Sequence, residues 1–191
     1  MKQLFFLLLS ILPWPAHAAL AVGDVAPDFE LPASLAGKTF RFVLHSALAQ
    51  GPVVVYFYPS AYTKGCNVQA HLFSERHERF AAAGATVIGV SLDSIDRLND
   101  FSADPEYCAG RVAVASDADG RTARAYGLQV RDAVPGRADT RGIEIGHGFA
   151  ERTTFVVGAD GRIRAVIGGL AAGQNVDKTL EAVQALSAQS R

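Results

Sequence analysis

The chain has 191 residues, 49% of them hydrophobic and 19% charged, with a formal net charge of −1. That balance suits one folded domain with a sizeable core. The Lys and Arg residues are scattered without a block or stripe, so neither nucleic acid nor an anionic membrane surface is an expected partner.

In chain order, residues 1–18 read as a secretory signal. Lys2 gives the positive start, Leu4 to Leu12 the short apolar run, and Ala16-His17-Ala18 an A-x-A cleavage site. The run falls short of the ~20 residues that span a bilayer, and Pro13 and Pro15 interrupt it. An exported, periplasmic or secreted protein is expected, its single domain formed by residues 19–191 without stable membrane association. In an oxidising compartment the even pair of cysteines, Cys66 and Cys108, favours a disulfide for at least part of the time.

Residues 39–44 suggest an early strand. The run from Pro52 to Tyr58 has the composition of a strand buried on both faces, and Pro59 ends its ladder. Cys66 then lies on the way out of the sheet, before a helix predicted over residues 67–84, with Val68, Leu72, Phe73 and Phe80 near one face and Gly84 at its end. A helix N-terminus favours an anion, so a thiol placed there loses its proton more readily. Further on, residues 86–92 and 112–115 read as strands, Asp93 or Ser94 as the cap of a helix reaching Phe101, and residues 122–126 as a helical turn. Residues 129–148, rich in Gly, Asp and Arg, have no clear period and are expected to form a long surface loop bordering the active site. Residues 152–157 and 162–167 form a predicted hairpin around Asp160-Gly161. A closing helix follows, capped by Asn175 and packed through Val176, Leu180 and Val183. This alternation predicts an α/β fold with a central mixed β-sheet flanked by helices. The mature histidines His45, His71, His77 and His147 show no H-x-x-x-H spacing, and no C-x-x-C occurs. No metal or cofactor is expected, and most of these histidines should be solvated.

Pro59, Thr63 and Cys66 have the P-x-x-x-T-x-x-C spacing of the peroxiredoxins, and the wider TKGCNVQA resembles the peroxiredoxin Q or bacterioferritin comigratory protein subfamily. VGDVAPDFELP is similar to the opening segment of that family, and ERTTFVVGADGRI to the strand carrying its active-site arginine. The resemblance implies a thioredoxin-like fold and a thiol-dependent peroxidase that reduces hydrogen peroxide or organic hydroperoxides with electrons from a thiol reductant. It assigns Cys66 as nucleophile, Thr63 as hydrogen-bonding partner of the reacting atoms, Pro59 as shield of the thiolate, and Arg152 as the cation. Many relatives carry a resolving cysteine five residues after the first, where this chain has His71. Some carry it later in the chain, so Cys108 is the tentative resolving residue. A reversible bond, a one-cysteine cycle and a permanent bridge stay open at this point, as does the choice between monomer and weak dimer.

Two other classes compete. A thioredoxin-like thiol-disulfide oxidoreductase needs C-x-x-C at this turn, and Thr63 stands where the first cysteine would be. A copper-binding or protein-binding module on the same fold would need more soft ligands than Cys66 and His71 supply.

Overall fold

The computed structural model describes residues 20–189, so the expected signal over residues 1–18 lies outside the described residues. The strands are β1 (Glu30–Leu35), β2 (Lys38–Val43), β3 (Val53–Phe57), β4 (Thr86–Ser91), β5 (Ala113–Ser116), β6 (Val130–Arg131), β7 (Phe149–Ala150), β8 (Thr153–Val157) and β9 (Ile163–Gly168). Between and after them run α1 (Leu44–Leu48), α2 (Lys64–Glu75), α3 (His77–Ala82), α4 (Ile95–Ala103), α5 (Arg121–Ala125) and α6 (Ala172–Gln189). A seven-stranded mixed sheet has the order β2-β1-β5-β4-β3-β8-β9, and β6 pairs with β7 apart from it.

β3 sits inside this sheet because nothing in its sequence suits an edge or a solvated face. Parallel pairing to β4 and antiparallel pairing to β8 saturate its backbone, and all five of its side chains are buried. Strand alternation then divides the core in two. Val53, Val55 and Phe57 join Leu44, Leu48, Ala123 and Tyr126 from α1 and the α5 end on one face. Val54, Tyr56 and Tyr58 point the other way, into a cluster with Phe73, Phe80, Leu98, Phe101, Val176 and Val183 from α2, α3, α4 and α6. Cys66 and Cys108 both belong to this second cluster.

Four local readings change. β1 was not foreseen as a strand; its antiparallel pairing with β2 and β5 depends on a distant partner. The helix expected over residues 67–84 is two helices broken at Arg76, which has φ −100° and ψ 7° and serves as C-cap of one and N-cap of the next. The inward stripe of α2 is Cys66, Gln69, Ala70 and Phe73, and Val68 is 46% exposed. Two of those four inward positions hold polar or thiol side chains, which an apolar pattern does not select. Finally, α6 starts at Ala172 and Asn175 is inside it, fully buried, rather than capping it. The predicted cap before α4 does form, with Ser94 Oγ accepting from Arg97 N at 3.4 Å.

Phe73 ties α2 to the sheet, its ring centroid 4.4 Å from that of Tyr56 and 5.5 Å from that of Phe80. Phe73→Ala is expected to destabilise the protein by about 3–5 kcal/mol, read as a lower urea midpoint at unchanged m-value.

Candidate active site

β3 ends at Phe57 and delivers the chain through Tyr58 and Pro59 to a turn that opens α2. Tyr58 keeps one bond to the sheet, its N–H donating to Val90 O at 3.0 Å. Pro59 has no donor, so the ladder stops there. Thr63 is the N-cap of α2, with extended backbone and a carbonyl that accepts from Cys66 N and Asn67 N at 2.9 and 2.8 Å. Its hydroxyl does not cap the helix. It donates to Ser60 O at 2.9 Å, which commits its proton and leaves its lone pairs to accept from another donor.

Cys66 is therefore in the first turn of α2, 2% exposed. β8 runs antiparallel beside β3, with Thr153 opposite Phe57, so the residue preceding β8 reaches the same end of the sheet. That residue is Arg152, whose Nη2 donates to Cys66 Sγ at 3.3 Å. Gly65 makes room for it, since a Cβ there would stand 3.2 Å from Arg152 Nη2. The guanidinium is held from behind by a relay of amides. Arg152 Nη1 donates to Gln69 Oε1, Gln69 Nε2 donates to Asn175 Oδ1 at 3.0 Å, and Asn175 Oδ1 also accepts from Thr154 Oγ1 at 2.7 Å. Asn175 Nδ2 donates to Ile167 O at 2.9 Å.

Pro59, Thr63, Cys66 and Arg152 thus gather at one end of β3. Gln69 and Asn175 were missed. Gln69 lies one helical turn beyond Cys66, on the same face of α2, and that spacing is the signal that was available for it. Pro59 and Arg152 also line a cavity of about 300 Å³ with Arg131, Arg137, Phe149 and Glu151.

Cys108 and Cys66 are both free and buried. Cys108 is fully enclosed, and burial, with the Asp104 charge added, pushes its thiol far above the ordinary range. The loop that carries it is tied to α2 by His71, whose Nδ1 donates to Glu106 O at 2.9 Å. His147 is an exception to the expected solvated histidines, being half-buried against Asp93.

With this geometry in place, residues 22–166 match the AhpC/TSA family. The chain belongs to that family. It is similar to peroxidoxin BcpB of Mycobacterium tuberculosis, with a TM-score of 0.71 and 30% identity over 86% of this chain and 96% of that one. It is also similar to peroxiredoxin Q of Xanthomonas campestris, with a TM-score of 0.65 and 27% identity over 82% of this chain and 91% of that one. These likenesses place the peroxiredoxin in the Q/bacterioferritin comigratory protein subfamily and bear out the thioredoxin-like α/β fold. Among curated relatives, the chloroplastic 2-Cys peroxiredoxin BAS1 of Spinacia oleracea is 28% identical over 175 residues, 86% of this chain. The chain spans 59% of the length of that relative.

If the Arg152 fork and the Thr63 hydroxyl both serve the reacting atoms, losing either slows oxidation of Cys66. Arg152→Lys keeps the charge but not the paired reach to sulfur and Gln69, and Thr63→Val removes the hydroxyl without removing a helix cap. Each is expected to lower the second-order rate with hydrogen peroxide by about 10²-fold, measured by stopped-flow fluorescence or competition kinetics. A rate within about threefold of the parent would contradict these roles.

Proposed function

We propose that the protein is an exported thiol-dependent peroxidase in which Cys66 is the nucleophile and Cys108 resolves it. The observation that carries the reading is the fixed guanidinium of Arg152 at 3.3 Å from a sulfur in the first turn of a helix. Such a cation stabilises charge on the attacking sulfur and on the departing oxygen. The Cys66 thiolate attacks one peroxide oxygen and the O–O bond breaks. The other oxygen leaves with the electron pair and takes a proton to become water or an alcohol, and Cys66 becomes a sulfenic acid. The cavity of about 300 Å³ beside Pro59 and Arg152 has room for a group larger than hydrogen peroxide, which favours organic hydroperoxides as substrates besides hydrogen peroxide.

In the second half-reaction the Cys108 thiolate displaces hydroxide from the sulfenic sulfur, and an external thiol reductant returns two electrons to the disulfide. Buried and protonated, Cys108 cannot attack from where it sits. Its loop must open first, and the loop is suited to that: Ala109 and Gly110 have φ of 50° and 66°, the first a strained value for a residue with a Cβ. Support for export is the signal-like composition of residues 1–18, and mass spectrometry of the mature protein should find its first residue at or near Ala19.

Cys66→Ser is expected to abolish peroxide consumption while the protein stays folded. Cys108→Ser should react once with peroxide to the sulfenic acid and stall in multiple turnover, and a second equivalent of peroxide should carry it on to the sulfinic acid. Non-reducing peptide mapping after one equivalent of peroxide should give a Cys66–Cys108 peptide that disappears with dithiothreitol. A lasting sulfenic acid in the parent protein would instead mean a one-cysteine cycle.

A further inference from the structure

The turn between Pro59 and Cys66 is held by a polar cluster that stands apart from the Arg152 bond to the Cys66 sulfur. Asp93, at 0% exposure, is its centre. Its Oδ1 accepts from Ser60 Oγ at 2.9 Å and Arg97 Nε at 2.8 Å. Its Oδ2 accepts from Ala61 N and Ser91 Oγ, both at 2.7 Å. Arg97 continues outward, donating through Nη2 to Ala61 O at 2.9 Å and to Asp139 Oδ2 at 2.8 Å. From the loop of residues 132–148, Thr140 donates to Tyr62 O through its N–H at 2.9 Å and its hydroxyl at 2.8 Å. Three successive residues, Ser60, Ala61 and Tyr62, are therefore fixed from outside. Tyr62 is held in the left-handed region at φ 59°, a conformation that persists only where the surroundings enforce it.

His147 completes the cluster in a way that specifies its protonation. Nε2 lies 2.8 Å from Asp93 Oδ1, and Nδ1 lies 2.7 Å from Gly148 O. Gly148 O can only accept, as can Asp93 when ionised, and Ser60 Oγ is a longer contact of Nε2 at 3.4 Å; a neutral imidazole has one donor, so beside an ionised Asp93 the geometry favours the imidazolium. With one proton gone, a ring lone pair faces an oxygen at hydrogen-bond distance. We propose that Asp93 and His147 are positioning residues for Cys66, and that loss of the second His147 proton loosens the Ser60–Tyr62 turn and slows attack on peroxide. The kinetic part rests on the peroxidase reading above.

The charged groups around His147 are Asp93 after β4, Arg97 on α4, Asp139 and Arg141 on the loop, and Arg137 over the ring of Phe149 beside it. Of these, only His147 ordinarily titrates near neutrality. Burial pulls its pKa down, but the bond to Asp93, the Asp93 charge and the Gly148 carbonyl outweigh this and leave it raised. Burial raises that of Asp93, and the bonds from His147, Ala61 and Ser91 outweigh it in turn, leaving it lowered. The sign follows for each. The His147 contribution is complete below its unfolded pKa of about 6.5 and is lost as pH rises through the higher folded value. The Asp93 contribution is present above its unfolded value of about 3.9 and is lost as pH falls through the lower folded one.

Two measurements on the full protein test this. By NMR, the His147 ring and the backbone amides of Ser60, Ala61 and Tyr62 should titrate with one midpoint above about 6.5; amides that ignore the His147 titration would overturn the proposal. In single-turnover kinetics with hydrogen peroxide, the parent should outpace His147→Gln by about 10-fold or more at pH 6, with the ratio falling toward one above that midpoint. A ratio constant with pH would show a merely structural histidine and would also overturn it. If no peroxide oxidises Cys66 at any pH, the peroxidase reading fails and the NMR titration still decides whether the cluster controls the turn.

Discussion

On the peroxidase reading the Cys66 sulfur takes up negative charge at 2% exposure, where it cannot rely on water, and an uncompensated buried anion is expensive. The whole site can be read as the answer to that constraint. A guanidinium is brought to the sulfur by antiparallel pairing of β8 with β3, and Gly65 clears its path. The long, flexible side chain is then immobilised by Gln69, itself oriented by Asn175. A preorganised cation is effective because it need not move as charge develops. Binding it at both ends, to sulfur and to amide, meets that condition.

The second demand is on the backbone. The turn from Ser60 to Tyr62 must hold an unfavourable conformation while carrying Pro59 and Thr63, and beyond the Thr63 hydroxyl on Ser60 O it needs bonds from outside. It draws them from Asp93, Arg97 and Thr140, from the end of β4, α4 and the long loop. Thr140 of that loop serves the turn directly, and Asp139 serves it through Arg97. Asp139 alone accepts from Arg97, Arg141 and the backbone of Ile143.

What was legible in the sequence was local. β3 with its end at Pro59, Cys66 near a helix start and the hairpin after Arg152 follow from composition and spacing within a few residues, as does the mixed sheet, whereas the grouping of Pro59, Thr63, Cys66 and Arg152 as one site comes from the family resemblance. The supporting groups were not legible, because their meaning lies in distant partners. Gln69 meets Asn175 across 106 positions, and His147 meets Asp93 across 54. Asn175 looked like a helix cap because asparagine often is one; buried, its amide serves three tertiary bonds instead. Val68 looked like core because apolar residues usually mark the inward face, whereas here Cys66 and Gln69 do.

The pairing of Phe57 with Thr153 links the contact between Arg152 and Cys66 to strand registration. Sheet register moves in whole steps, and restoring the same side-chain faces takes a two-residue step of ~7 Å. No such step leaves the guanidinium within reach of the sulfur. A slipped register would remove the contact between Arg152 and Cys66 outright, whereas loosening of the Ser60–Tyr62 turn acts within a correctly paired sheet.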